Sequence, residues 1–220
     1  MDRCDVAVVI PVAPGDEAWT ALLPALRSAG LGECLLVLAR NATAPDAGPG
    51  MRIIRATKGR AKQLNAGALA SAATVLWFLH ADSVLDAAVL PALDRHLRGG
   101  ANGLGFFDLA FSADGPAAVR LNAWGATLRS RLLGLPFGDQ GFVVRREDFF
   151  RLGGFPDVDG EDHAFVWRAR RARLPLLALG ATITTSARKY ARDGWWRTTC
   201  GHALATVRQA WAYSRAEPRP

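Results

Sequence analysis

The sequence predicts an α/β protein with a mostly parallel sheet flanked by helices, and three observations carry that expectation. Val6-Ala7-Val8-Val9-Ile10 is a continuous run rich in β-branched residues, closed by Pro11 and a turn at Gly15, which suits a strand covered on both faces. Similar short runs recur and alternate with segments of helical length, the pattern that right-handed strand-helix-strand crossovers produce. With 220 residues and 50% hydrophobic content, the chain can bury one sizeable core.

After the first strand a helix is expected over 16–29, ended by Gly30. Residues 34–38 and 51–55 read as strands, 60–72 as a helix and 75–79 as the next strand. The second half is less regular: 104–111 suits a strand, 117–133 a helix, 142–145 a strand and 147–152 a short helix. Gly153-Gly154-Phe155-Pro156 forces a turn and is expected to set Glu161 and Asp162 on a mobile rim. Residues 161–173 are again helical, with Glu161 and Asp162 in the first turn and Arg168, Arg170, Arg171 and Arg173 in the last, a polarity that the helix dipole favours. The tail over 195–213 reads as a helix with Trp195, Trp196, Leu204, Val207 and Trp211 as its apolar members.

Lys and Arg number 27 against 20 Asp and Glu, giving a formal net charge of +7 that favours phosphate esters, nucleic acid or anionic lipid as partners. Nucleic-acid binding rests on net charge and the basic aromatic tail alone, without a recognisable binding motif, and a nucleic-acid partner is not expected. Cys4, Cys34 and Cys200 show no paired spacing, so neither a disulfide framework nor a zinc knuckle is indicated, and a reducing cytoplasm fits best. The first apolar run is too short for a signal peptide or a membrane span.

Several short segments could carry chemistry. Asp82, in Leu79-His80-Ala81-Asp82-Ser83, falls where a buried strand emerges, the edge at which open α/β sheets bind ligands. A carboxylate there can hold a hard cation while a substrate supplies further oxygens, or it can cap the next helix. His80 reads as a packing or supporting residue. Glu161 and Asp162 could be a general base and its neighbour, or acids that merely suit the dipole. Lys58, Arg60 and Lys62 crowd a helix start, and their mutual repulsion calls for an anionic ligand or a nearby acid. Gly138-Asp139-Gln140-Gly141 suits close approach of backbone to a ligand, or an ordinary turn. Arg188, Lys189 and Arg192 lie near aromatics and could grip phosphate or stack on a base, or form a plain basic surface.

Taken in order, these pieces resemble family 2 glycosyltransferases of the GT-A fold, and most closely the short bacterial branch described as radical-SAM/selenodomain-associated transferases. The matching residues are Val9-Ile10-Pro11, the run Gly59-Arg60-Ala61-Lys62-Gln63-Leu64-Asn65-Ala66-Gly67, Leu79 to Ser83, Gly138 to Gly141 with Val144-Arg145-Arg146, Gly153-Gly154-Phe155, Glu161-Asp162 and Thr185-Ser186-Ala187-Arg188. The resemblance implies one domain over 1–220, with a nucleotide-sugar half over about 1–115, an acceptor and catalytic half over about 116–193 and a C-terminal helix over about 194–220. It implies transfer of a sugar from a nucleotide diphosphate donor, a UDP-sugar as first choice, to an acceptor hydroxyl, with inversion and with Mg2+ or Mn2+. Asp82 then matches the metal-binding acid, Asp162 the base with Glu161 beside it, Pro11, Arg60, Asn65, Asp82 and Arg188 the donor side, and Asp139 and Gln140 the acceptor side.

The chain departs from that pattern at two places. The acidic pair that the family usually carries after its second strand is replaced by Leu36-Val37-Leu38-Ala39-Arg40-Asn41, so Arg40 or Asn41 would have to contact the nucleotide. His80 stands where many relatives carry the first acid of the metal motif. A catalytically degenerate domain that only binds a nucleotide or partner is therefore the rival expectation. Trp195, Trp196 and Trp211, with Arg192, Arg197 and Arg208, also suit peripheral contact with the inner membrane and a lipid-linked acceptor, or else core packing.

Overall fold

Strand β1 (Val6–Val12) lies in the middle of the sheet because both of its faces are apolar. In the computed structural model, which describes residues 1–201 together with 204 and 208, Val6, Val8 and Ile10 pack with Trp19, Leu22 and Leu26 on one face. Ala7 and Val9 pack with Leu64 and Ala68 on the other. Full burial of each large side chain contributes roughly 1.5–3 kcal/mol, so the strand anchors two cores at once.

Around β1, the strands β2 (Glu33–Ala39), β3 (Arg52–Ala56), β4 (Val75–Phe78), β5 (Val84–Leu85), β6 (Leu104–Phe111), β7 (Phe142–Arg145) and β8 (Leu176–Thr185) complete one sheet, in the order β3-β2-β1-β4-β7-β6-β8-β5. The β3-β2-β1-β4 half is parallel; β7 opposes β4 and β6, β8 runs with β6, and β5 opposes β8. Six strands thus share one direction, as the alternating pattern implied. Helices α1 (Leu23–Ser28) and α3 (Val89–Arg98) cover one face. Helices α2 (Arg60–Ala70), α5 (Arg146–Arg151) and α6 (Glu161–Arg171) cover the other, while α4 (Val119–Leu133) and α7 (Arg188–Asp193) lie beyond β6 and β8. Helix α2 crosses β1 and β2 closely at Gly67, where an added Cβ would meet Val9 at 2.4 Å and Val37 at 2.9 Å.

This topology gathers the candidate residues at one edge. Strands β1, β3, β4, β6 and β8 all point their carboxyl ends there, and antiparallel β7 begins there, with Phe142 paired to Phe78. The loops carrying Lys58 to Arg60, His80 to Asp82, Gly138 to Gly141 and Ser186 to Arg188 therefore converge although they span the whole sequence.

Two expectations change. The helix expected over 16–29 is a 3-10 turn, Ala18–Leu22, followed by the short α1. Asp16 caps the Ala18 N–H at 2.9 Å and Pro24 sits in the first turn of α1, so the chain makes a fresh start there. Nor is the Gly153-Gly154 turn loose: Phe155 is buried with ring centroids 5.0 Å from Phe78, 5.3 Å from Phe149 and 4.9 Å from Phe165. In the tail, residues 195–201 are helical, whereas Val207 and Trp211 lie outside the described residues. Among the described residues no helix is long and apolar enough to cross a membrane.

Candidate active site

A cavity of about 410 Å³ opens at the carboxyl edge, lined among others by Pro11, Lys58, Arg60, His80, Asp82 and Arg188. Four of the five residues expected on the donor side thus share one wall. Among the described residues the Asp82 carboxylate receives no hydrogen bond or ion pair, so its oxygens are available to a ligand. Gly59, with φ of +134°, starts α2 at this cavity and leaves the first N–H groups of the helix without a side-chain cap. Amides and cations there suit a phosphate.

Arg60 ties the two halves of the site together. Its Nη1 donates to Glu161 Oε1 at 2.7 Å and its Nη2 donates to His80 Nε2. Because a guanidinium can only donate, His80 Nε2 is an acceptor and the ring proton resides on Nδ1. Burial, with the Arg60 charge beside it, pushes the His80 imidazole down to about 3, so the ring is neutral. The crowded basic start of α2 is thereby relieved by acids: Glu161 on Arg60 and Asp157 on Lys62 at 2.8 Å. Lys58 has no acid partner among the described residues and faces the cavity.

On the far side of Arg60, Asp162 Oδ2 accepts the Gly138 N–H at 2.8 Å, and Oδ1 accepts the His163 N–H at 2.9 Å. Burial pushes this carboxyl up, but Arg60, His163 and the two amide donors outweigh it and hold it below the usual range. Glu161 goes the other way, raised chiefly by burial despite Arg60. Gly138 leaves room for the site: a Cβ there would meet Arg60 Nη2 at 2.7 Å and Asp162 Oδ2 at 3.2 Å, so a larger residue would displace the guanidinium. Asp139 is pushed up to about 6, first by burial and then by Asp162, and its Oδ1 is buried without a hydrogen bond. Asp82 also raises it, as the smallest of these effects.

Other expected residues make hydrogen bonds within the fold. Asn65 lies outside the donor cavity and reads the backbone of Phe155 from both ends, donating to its carbonyl at 2.7 Å and accepting its N–H at 3.0 Å. Gln140 is fully buried; its Oε1 accepts from Ser130 at 2.7 Å and from the Phe137 N–H at 3.0 Å, and its Nε2 donates to the Phe107 carbonyl at 2.8 Å. Arg188 is positioned by the β8 exit, where its Nε donates to Ser186 Oγ at 2.9 Å. Asp114, which no motif marks, anchors that loop by accepting from Ser186 Oγ at 2.5 Å and the Ala187 N–H at 2.7 Å.

Two further groups escape a reading of the sequence. A second cavity of about 390 Å³ shares Ala13, Pro14 and Asp16 with the first and adds Glu17, Trp19 and Asn41. The acid pair Asp16-Glu17 after β1 was the available signal for it. Arg129, on α4, lies over the Phe137 ring, with its guanidinium carbon 3.3 Å from the centroid. A cation beside the buried Ala126 and Ser130 marks an inward-facing charge, which is how it could have been found.

The implied cation can be tested against these donors. Among the described residues no three His, Cys, Asp or Glu side chains form a metal cage, and the His80 nitrogen facing Arg60 is already an acceptor for it. What fits is a hard cation held by Asp82 together with substrate phosphate oxygens, the arrangement Mg2+ commonly adopts.

No family model matches the chain, and no curated protein sequence does. Solved structures do. The mannosyltransferase PcManGT from Pyrobaculum calidifontis, in complex with GDP-Man and Mn2+, superposes with a TM-score of 0.57 at 16% identity over 81% of this chain. S. aureus TarS 1-349 in complex with UDP-GlcNAc gives a TM-score of 0.63 at 14% identity over 84% of the chain, and TarS 1-349 alone gives 0.60 at 12%. The fold is GT-A. Identities this low establish the GT-A architecture and nothing finer, and the chain spans only 56–60% of these neighbours' lengths.

Proposed function

We propose that the chain is an inverting, cation-assisted glycosyltransferase of family 2, in the short bacterial branch that its motifs resemble. The supporting observation is the pairing of an unengaged Asp82 on a cationic cavity with an ionised Asp162 beyond Arg60. Lys58, Arg188 and the start of α2 hold the donor diphosphate, and Asp16, Glu17 and Asn41 in the adjoining cavity take the nucleoside in place of the missing acids after β2. The neighbouring structures carry GDP-Man and UDP-GlcNAc, so both nucleotides are candidate donors, with UDP first.

In the transfer, the acceptor oxygen bonds the anomeric carbon while the bond from that carbon to the β-phosphate oxygen breaks. The diphosphate leaves with the electron pair, and Asp162 takes the hydroxyl proton. Arg60 positions this base by its charge and by holding Glu161, the preceding residue of α6. Asp82 would hold Mg2+ or Mn2+, and the ion would supply charge stabilisation to the departing diphosphate. An exposed apolar stripe on α4, Leu121, Trp124, Leu128 and Leu132, supports peripheral contact with a membrane and hence a lipid-linked acceptor; flotation with anionic liposomes tests it, and a chain that stays with the soluble fraction removes it.

The direct test is nucleoside diphosphate release from UDP- and GDP-sugars with Mn2+ by wild type and Asp162→Asn. Release by wild type that is lost in the variant supports the transferase. Donor binding without any release makes the chain a nucleotide-binding module, the reading that the lost acids after β2 favour.

A further inference from the structure

A third cavity, of about 330 Å³, is lined by residues of β6, α4, α7 and the segment after α7. Its wall is mostly apolar, with Phe111, Leu121, Phe137, Tyr190 and Trp195 facing Arg129. It shares no lining residue with the donor cavity, yet α7 contributes to both, Arg188 to one and Tyr190 to the other. Phe137 stacks on His163, the residue after Asp162, with centroids 3.7 Å apart, and Asp162 acts through space on Arg129, so the cavity lies near the base without being lined by it. Its volume sits at the small end of small-molecule sites, about 300–1,000 Å³.

Arg129 is the one cation in this wall among the described residues. Its Nε donates to the Leu135 carbonyl at 2.9 Å, while its Nη2 is buried without a hydrogen-bond partner among the described residues. Asp139 and Asp162 act on it through space, but neither forms an ion pair with it. Burial pulls the guanidinium down to about 10, against those two acids. A planar donor held on an aromatic ring in an apolar wall is arranged to receive a carboxylate or phosphate oxygen.

We propose that the acceptor is a small amphiphile, with an apolar body in this cavity and an anionic group on Arg129 that directs the neighbouring hydroxyl to Asp162. The proposal rests on the transferase reading for its hydroxyl and on the cavity for its charge.

Calorimetric titration of the full chain tests it with 4-hydroxyphenylacetate, 4-hydroxybenzylphosphonate and the neutral 4-hydroxyphenylacetamide. One or both anions are expected to bind wild type at least about tenfold more tightly than the amide, and the tighter of the two identifies carboxylate or phosphate. Arg129→Met should erase the preference, Arg129→Lys should keep part of it, and Leu121→Glu at the exposed rim should weaken the anions by repulsion. Equal binding of charged and neutral probes, no binding of any, or a preference that survives Arg129→Met overturns the proposal. The same samples are titrated with UDP-GlcNAc and GDP-Man in Mn2+. Donor binding with no anion preference removes this proposal alone, whereas an anion preference without donor binding removes the transferase reading and leaves the cavity standing.

Discussion

Arg60 and Glu161 stand 101 residues apart in the chain and meet at 2.7 Å, joining the first turn of α2 to the first turn of α6. Each side chain answers a problem of the other helix: the basic start of α2 gains an acid, and the buried Glu161 gains a cation. Removing one partner strands the other. Glu161→Ala should therefore destabilise the fold by roughly 2–3 kcal/mol, and Glu161→Gln by less because an amide oxygen still accepts from Arg60. Urea unfolding checks this, and a loss below about 0.5 kcal/mol for Glu161→Ala would show that the pair is solvent-screened.

Asp162→Asn keeps the size of the side chain and its acceptor oxygen for the Gly138 N–H, but cannot take a proton. Turnover should fall by about 10²–10⁴ while donor affinity stays within about twofold. Steady-state rates and donor titration on the same preparation separate the two quantities. A variant that weakens donor binding instead would move Asp162 to the donor side.

Asn65→Ala distinguishes a clip from a donor ligand. Both ends of the amide are engaged with Phe155, so the substitution should cost about 1–3 kcal/mol of stability and leave donor affinity unchanged. A stable variant with a weakened donor would return Asn65 to the donor side.

Asp139 sets a pH dependence of known sign. Its folded pKa, about 6, lies above the ordinary 3.8, so the native state binds the proton more tightly and stability falls as pH rises from about 4 to about 6. Asp139→Asn should raise stability at pH 7.5 by about 1–3 kcal/mol and change it little at pH 4. Denaturant midpoints across that range measure it. A variant less stable than wild type at pH 7.5 would mean that the charge has a partner.

Much of this architecture was legible in the residues. Strands β1, β4 and β7 announce themselves as short apolar runs between breakers, and α6 by acids at its start and arginines at its end. Strand β8 does not: Pro175 precedes it, Gly180 interrupts it and Leu177 is exposed, so its 10 residues show no clean period. Helix α3 hides behind Pro91 in its first turn, a position where proline is tolerated but reads as a break. At the site, Arg60, Asp82 and Arg188 could be grouped from their motifs, and the fold sets all three on one cavity. The backbone bonds of Asn65 and Gln140 could not be read, because an amide that binds backbone 90 residues away, as Asn65 does, looks the same in sequence as one that binds a ligand. Arg129 was invisible for a related reason: what gives it meaning is an apolar wall assembled from β6, α4, α7 and the segment after α7.

The most direct test is the thermal stability of wild type and Asp82→Asn with UDP- and GDP-sugars, each with and without Mn2+. Stabilisation of wild type by one donor, dependent on Mn2+ and lost in Asp82→Asn, is the predicted result, with a shift of about 2.7 kcal/mol at a donor concentration 100 times Kd. Stabilisation that ignores both Mn2+ and Asp82, or none with any donor, would contradict a cation-assisted glycosyltransferase built on this carboxylate.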